Sequence, residues 1–90
     1  MYRVVFTKQF EKKFEKLDKQ AQRLIKNWLE NNLINCADPR AHGKALTANL
    51  KGYWRYRIAD YRLIAEIQDD RLTVFAITVS HRRDVYKNQF

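Results

Sequence analysis

The spacing of apolar residues along this chain changes from a helical period at residues 10–29 to strand alternation after residue 52. Apolar side chains three or four positions apart form one face of a helix, whereas alternating side chains form one face of a strand. With only 2 Gly and 1 Pro, the sequence argues against disorder and against a turn-rich all-β protein. The pattern therefore predicts an α+β fold.

Two amphipathic helices are expected in the first third of the chain. Phe10, Phe14 and Leu17 recur at helical spacing after Thr7, a residue type that suits a helix N-cap. Asp18 follows at once and can cap a second helix. The apolar face of that second helix would consist of Ala21, Leu24, Ile25, Trp28 and Leu29. Because almost no residues separate the two helices, they should form a hairpin.

The expected strands lie on both sides of this hairpin. Residues 2–6 form a short β-branched and aromatic run, and residues 40–52 show no clear period beyond a helical turn near Ala48. An antiparallel meander of three strands is expected at residues 53–58, 61–68 and 71–80. This order predicts a sheet with the helical hairpin packed on one face, and four strands if residues 2–6 join it. Residues 1–90 are interpreted as a single domain.

The chain is strongly basic, with 18 Lys and Arg against 10 Asp and Glu and a formal net charge of +8. Such a surface attracts polyanions, so nucleic acid or an acidic protein is the expected partner. The single cysteine, Cys36, cannot form an internal disulfide, and no apolar stretch approaches the length of a membrane span. These features predict a cytoplasmic protein that does not enter a membrane.

Short turns determine which residues of the meander face each other. A two-residue turn puts Arg57 opposite Arg62, and a second one would put Glu66 opposite Thr73. The face away from the helices would then carry Arg55, Arg57, Arg62, Ile64, Glu66, Phe75, Ile77 and Val79, and would continue to His81. Clustered arginines repel one another, so the cluster indicates an anion site. In the alternative, the arginines extend outward and pair with neighbouring carboxylates.

Residues 80–86, with the sequence SHRRDVY, add further polar groups after the last strand. The imidazole of His81 can give or take a proton near neutral pH, although a histidine at a strand end is more often a surface or capping residue. His42 and Cys36 have no ligand partners at suitable spacing and are interpreted as a surface and a core residue. Neither a metal nor another cofactor is expected.

Three strings carry a resemblance to a known family: LKGYWRYR from Leu50, DYR from Asp60 and HRRDVY from His81. Together at this spacing, they resemble the RelE/ParE toxin superfamily of type II toxin-antitoxin systems, and its RelE branch most closely. The resemblance extends over essentially the whole chain. It implies a microbial-ribonuclease-like, RelE-like toxin domain. It also implies a metal-independent endoribonuclease that cleaves messenger RNA in the ribosomal A site and inhibits translation.

The resemblance also implies roles for particular residues. The active-site positions of the RelE branch fall on Arg55, Arg57, Arg62, Arg82 and Tyr86, with His81 as the general acid. Lys44, Lys51 and Arg83 are expected to bind RNA. Some relatives carry lysines where this chain has Arg55 and Arg57, and an arginine cannot serve as a base. Tyr86 and Glu66 are therefore the two candidates for the general base.

The partners implied by the resemblance are a cognate acidic antitoxin, the small ribosomal subunit and messenger RNA. Contact with operator DNA is expected only through the toxin-antitoxin complex. An apolar strip formed by Ile64, Phe75, Ile77 and Val79 is expected to be covered by the antitoxin. Two other functions remain open on the same fold: a ParE-like inhibitor of DNA gyrase, and a non-enzymatic co-repressor.

Overall fold

The computed structural model describes residues 1–83 of the chain. In this part the secondary structure comprises β1 (Arg3–Phe6), α1 (Lys8–Glu15), α2 (Lys19–Asn32), β2 (Gly43–Ala45), β3 (Tyr53–Ile58), β4 (Tyr61–Gln68) and β5 (Thr73–His81). Short 3-10 turns at Ala48–Leu50 and Asp69–Arg71 connect the later strands. The predicted α+β order of strand, helical hairpin and meander is confirmed.

The helices begin where the capping residues predict. The Thr7 hydroxyl accepts a hydrogen bond from the Phe10 amide at 3.1 Å, and the Asp18 carboxylate accepts one from the Ala21 amide at 2.7 Å. These bonds satisfy amide groups that have no partner inside the helix. On the apolar face of α2, Ala21, Ile25 and Leu29 are buried as expected and Trp28 is half-buried, whereas Leu24 is 42% exposed.

The five strands form one mixed sheet in the order β1-β5-β4-β3-β2. β1 runs parallel to β5, with Val4 beside Val74, and the other neighbouring strands are antiparallel. The sheet has five strands rather than the four that were expected. The additional strand, β2, lies in the stretch that was interpreted as loop. A three-residue strand at a sheet edge is too short to show a period in the sequence.

The helices cover one face of the sheet and form the core with it. The fully buried apolar members are Phe10, Ile25, Leu29, Leu33, Tyr56, Ile58, Leu63, Ala65, Val74, Ala76 and Val79. Trp28 of α2 packs on Tyr56 of β3 with ring centroids 5.6 Å apart. The Tyr56 hydroxyl donates to the Pro39 carbonyl oxygen, so this buried hydroxyl is satisfied. The opposite face of the sheet is left without a helix among the described residues, and we call it the open face.

A β-bulge interrupts the pairing of β4 with β5. Ile64 lies opposite Thr78, but the next residue, Ala65, lies opposite Ala76, so Ile77 is the extra residue. Because side chains alternate along a strand, one extra residue reverses the faces of everything beyond it. Thr78 therefore points to the open face.

The bulge corrects two expectations about the open face. Val79 lies opposite Leu63, on the side of the helices, and is 1% exposed. Ile64 does face the open side, but it is only 2% exposed. The prediction of an exposed apolar strip is therefore wrong for Val79 and Ile64. The other two predicted members, Phe75 and Ile77, are half-buried.

The connection between β4 and β5 also differs from the expected two-residue turn. The 3-10 turn and Leu72, which has a left-handed φ of 47°, make a longer connection. As a result, Glu66 lies opposite Phe75 rather than Thr73. The length of this connection depends on how the chain folds locally at Asp69–Arg71, which the pattern of apolar residues did not reveal.

Candidate functional site

Five basic residues from β2, β3, β4 and the end of β5 belong to the open face. Lys44 lies opposite Arg55, and Arg57 lies opposite Arg62, as the sequence predicted for the second pair. Arg82 follows Ser80 by two positions, and Ser80 lies opposite Arg62. Directly opposed side chains in antiparallel strands have Cβ atoms only about 4.5–5.5 Å apart. We call this set, Lys44, Arg55, Arg57, Arg62 and Arg82, the cationic face.

The guanidinium of Arg62 is held by the turn between β3 and β4. Its Nη1 atom donates to the carbonyl oxygens of Ala59 and Tyr61, each at 2.9 Å. Ala59 has a left-handed φ of 52°, the conformation that a tight hairpin turn requires. The turn therefore holds Arg62 in one orientation although Arg57 lies opposite, and a fixed donor group is what binding of an anion requires.

Arg82 is anchored to the same turn. Its backbone amide donates to the Asp60 carbonyl oxygen at 2.7 Å, so the pairing of β5 continues for one residue past the strand. Its Nε atom lies 3.9 Å from a carboxylate oxygen of Asp60, and both side chains are more than half exposed. An exposed pair at this distance contributes little to stability. The backbone bond, rather than the ion pair, places Arg82 beside Arg62.

Glu66 lies on the open face, between Tyr53 and Phe75 in the sheet. The Gln68 side-chain amide donates to its carboxylate at 2.6 Å. Arg55 lies opposite Ile64, so Glu66 is the diagonal neighbour of Arg55. This carboxylate is thus on the same face as the arginines, one row of side chains from Arg55 and two rows from Arg57 and Arg62.

His81 is on the other side of the sheet, which corrects its expected position beside the arginines. It lies opposite Tyr61, and the two rings meet edge to face with centroids 5.6 Å apart. Its Nδ1 atom accepts a hydrogen bond from the Arg83 amide at 3.3 Å. The bulge at Ile77 is the cause, because it moves every later residue of β5 to the opposite face.

The two other predicted RNA-binding residues have exposed side chains. Lys51 is exposed at the end of the 3-10 turn Ala48–Leu50, and Arg83 is exposed just past β5. Tyr86, the predicted catalytic phenol, lies outside the described residues. Cys36 is half-buried beside the core, where burial raises the pKa of its thiol. His42 is exposed, with its ring centroid 6.5 Å from that of Trp28.

A second polar cluster, which the sequence analysis missed, joins three segments that are distant in the sequence. Asp69 accepts a hydrogen bond from the Tyr2 hydroxyl at 2.6 Å and two from the Arg40 guanidinium at 2.9 Å each. Arg40 holds the pKa of the Asp69 carboxyl below its usual range, and the bond to Asp69 raises the pKa of Tyr2. Arg40 also lies 5.5 Å from the Trp54 ring centroid. In the sequence, Arg40 is 29 positions and Tyr2 is 67 positions from Asp69, so no local pattern could reveal this cluster.

Neither a metal site nor a membrane segment is found in residues 1–83. No group of three or more His, Cys, Asp or Glu side chains in this range is arranged to hold a metal ion. Within the same residues, no helix is long and apolar enough to cross a membrane.

The fold is similar to that of solved RelE toxins. A structure of the RelBE2 toxin-antitoxin complex from Mycobacterium tuberculosis matches with a TM-score of 0.82 and 30% identity, covering 90% of this chain and 98% of that one. The archaeal RelE-RelB complex from Pyrococcus horikoshii matches with a TM-score of 0.67 and 25% identity, covering 90% and 94%. The isolated RelE toxin of E. coli matches with a TM-score of 0.69 at 20% identity, covering 90% and 84%, which shows the fold alone.

The sequence comparisons agree with the structural ones. Residues 4–86 match the sequence model of the ParE toxin of the type II toxin-antitoxin system parDE, and the chain belongs to this family of RelE/ParE toxins. Among curated proteins, Toxin RelG of Mycobacterium tuberculosis is 38% identical over 50 residues, which are 56% of this chain and 58% of that protein. The chain thus spans a little more than half the length of this relative.

Proposed function

We propose that this toxin is an endoribonuclease that cleaves messenger RNA in the ribosomal A site and so inhibits translation. The observation that carries the proposal is the cationic face, where Arg57 lies opposite Arg62 and Arg82 is tied to the adjoining turn. Like charges placed directly opposite each other destabilise a sheet. A function that needs several guanidinium groups around one phosphate accounts for this arrangement.

The proposed reaction is attack by the 2′ oxygen of the ribose on the adjacent phosphorus while the bond to the 5′ oxygen breaks. The 2′ proton passes to a base, and the leaving 5′ oxygen takes up a proton, so the products are a cyclic phosphate and a 5′-hydroxyl. Negative charge grows on the phosphoryl oxygens in the transition state. Arg57, Arg62 and Arg82 stabilise this charge by donating hydrogen bonds to those oxygens, and the turn already orients the Arg62 guanidinium before reaction.

Proton transfer in this proposal falls to groups other than the arginines. Glu66 is on the open face and is the candidate base among the described residues, with Gln68 orienting its carboxylate. Tyr86 remains the candidate that the family resemblance predicts. His81 is omitted from the proposed set because its ring lies beside Tyr61, on the side of the helices. RNA binding is assigned to Arg55 and to Lys44, Lys51 and Arg83.

The proposed partner that silences the toxin is an acidic antitoxin. The matched RelBE2 and archaeal RelE structures are toxin-antitoxin complexes, and the net charge of +8 suits an acidic segment. Such a segment would cover the cationic face and so block access to RNA. We propose that both proteins act in the cytoplasm, and that the chain reaches operator DNA only within their complex.

The second candidate function is inhibition of DNA gyrase, because the matching family model is that of the ParE toxin. The cationic face favours the nuclease, since stabilising a cleaved phosphate explains the clustered arginines whereas inhibition of gyrase does not require them. Fold alone does not separate the two functions.

Brief induction followed by primer extension on cellular messengers distinguishes these functions. The nuclease predicts new 5′ ends within codons in seconds to minutes, and their loss in Arg57→Gln. Arg23→Ala, which removes an equal charge from the exposed side of α2, should cleave normally. Unchanged messengers together with accumulated gyrase-dependent DNA breaks would instead establish the gyrase function.

A further inference from the structure

A cleft of about 270 Å³ opens between β2, the following 3-10 turn and β3. Its lining consists of Lys44, Ala45, Leu46, Thr47, Leu50 and Arg55. Two of these, Lys44 and Arg55, belong to the cationic face, so the cleft is continuous with the proposed RNA site. The volume is close to the lower end of natural ligand pockets, about 300 Å³, which suits one small ligand unit.

The cleft owes its shape to a defined backbone conformation. The Leu46 amide donates to the Tyr53 carbonyl oxygen at 3.0 Å, which keeps the chain beside β3 after β2 ends. The amides of Leu50 and Lys51 close the turn by donating to Thr47 and Ala48, each at 3.1 Å. Ala48 has a left-handed φ of 57°, a conformation that is energetically costly outside glycine. These three hydrogen bonds offset that cost.

The lining combines three chemical features on adjacent surfaces. Lys44 and Arg55 supply positive charge, and the half-buried Leu46 and Leu50 supply an apolar wall. The exposed hydroxyl of Thr47 can donate or accept a hydrogen bond. A nucleotide has the matching features: an anionic phosphate, a flat apolar ring and a polar ring edge. Single-stranded RNA is read by proteins through such unstacked bases.

The position of the cleft fits a single step along an RNA strand. Arg55 and Arg57 are two residues apart on β3, so their rows are separated by about 6.7 Å along the strand. That spacing is comparable with the distance between successive phosphates of an unstacked strand. With the scissile phosphate at Arg57 and Arg62, the neighbouring phosphate reaches Lys44 and Arg55, and its base reaches Leu46 and Leu50.

We propose that this cleft is a base-binding subsite for the nucleotide next to the scissile phosphate. The inference rests on the proposed function and deepens it by assigning base selectivity to Leu46, Thr47 and Leu50. A pocket that accepts one base and presents one hydroxyl to its edge discriminates among bases through shape and that hydrogen bond.

The test is a double-mutant cycle between Leu50 and the base. Binding of a fluorescent, non-cleavable 2′-O-methyl adenosine hexanucleotide is measured for the wild type and for Leu50→Ala, and again with a hexanucleotide in which every base has been removed. Leu50→Ala should weaken binding of the normal strand about tenfold, since removing a leucine side chain that packs on a base loses an apolar contact of about this size. It should leave binding of the base-free strand unchanged.

Leu24→Ala is the matched control, because it removes the same side chain from an exposed position of α2. Thermal unfolding of each variant separates loss of binding from loss of fold. The same comparison is made for single-turnover cleavage of messenger RNA on programmed ribosomes. Messengers with an abasic nucleotide on one or the other side of the cut replace the base-free strand. Leu50→Ala should slow cleavage of the normal messenger. When the nucleotide on one side of the cut is abasic, the wild type and Leu50→Ala should cleave the messenger at the same rate.

The outcomes separate the two proposals. If Leu50→Ala weakens binding of normal and base-free strands equally, the subsite is overturned, and cleavage by the wild type still supports the nuclease. If the wild type shows the coupling in binding but cleaves no messenger, the subsite stands and the nuclease fails. If no hexanucleotide binding is found and Leu50→Ala slows cleavage of normal and abasic messengers on the ribosome equally, the subsite is overturned, and cleavage by the wild type again decides the nuclease separately.

Discussion

The Thr7 hydroxyl lies 2.9 Å from the carbonyl oxygen of Ile77, the extra residue of the bulge in β5. The same hydroxyl reaches the Ala76 carbonyl oxygen at 3.0 Å and accepts from the Phe10 amide at 3.1 Å. One side chain therefore caps α1 and also holds the bulge. Because the bulge determines the face on which Ser80 and Arg82 lie, Thr7 connects the start of the helix to the cationic face.

Thr7→Val should reduce the free energy of unfolding by about 1–2 kcal/mol, since it removes a cap and a bulge contact with little change in shape. Thr7→Ser keeps the hydroxyl and should retain most of the stability. Chemical denaturation of both variants measures the difference. Equal stability of Thr7→Val and wild type would show that the hydroxyl does not hold the bulge.

Arg82→Ala should lower the single-turnover rate of messenger cleavage by about 10²-fold, as removal of one preorganised donor does at other sites. Arg82→Lys should recover only part of the rate, because an ammonium cannot supply the planar pair of donors. The side chain is exposed, so stability should change by no more than about 0.5 kcal/mol. Full cleavage by a folded Arg82→Ala protein would remove Arg82 from the site.

Arg57→Gln should have opposite effects on stability and on activity. Removing one of two directly opposed arginines should stabilise the sheet by about 0.2–1 kcal/mol. The same change should slow messenger cleavage by at least about tenfold, because one phosphate ligand is lost. Thermal melts at low salt and cleavage assays on one preparation measure both, and a destabilised variant would contradict the like-charge argument.

His81→Asn should cleave messenger RNA at a rate within a few-fold of the wild type. The imidazole lies beside Tyr61 on the face opposite the cationic face, so it is not oriented toward a phosphate bound there. The pH dependence of single-turnover cleavage should likewise keep its shape in this variant. A loss of about 10²-fold, the size typical of a general acid, would restore His81 to the site.

Acidification should destabilise the protein partly through Asp69. Its pKa is lowered in the folded state by Arg40 and Tyr2, so its contribution is complete above the unfolded value of about 4. That contribution is lost as the pH falls through the lowered folded value. Asp69→Asn should be less stable than wild type at neutral pH and should show a flatter acid limb in a plot of Tm against pH. Parallel acid limbs would contradict the assignment.

The sequence by itself determined the features that depend on local spacing. Helical periods predicted both helices, and Thr7 and Asp18 marked where they begin. Alternation and a two-residue turn were enough to place Arg57 opposite Arg62, because neighbouring strands joined by such a turn have only one register. The family strings added the expected RelE-like fold, which the structural matches confirm.

Only the tertiary structure decided which residues beyond Ile77 face the arginines. The bulge is held by Thr7, 70 positions earlier, so no pattern within β5 announces it, and His81 was placed on the wrong face for that reason. The sequence also did not reveal the hydrogen bonds of Arg40 and Tyr2 to Asp69. Nor did it reveal the three-residue strand β2, which lines the cleft. Each depends on contacts between segments distant in the chain, and these form only when the helices and sheet pack together.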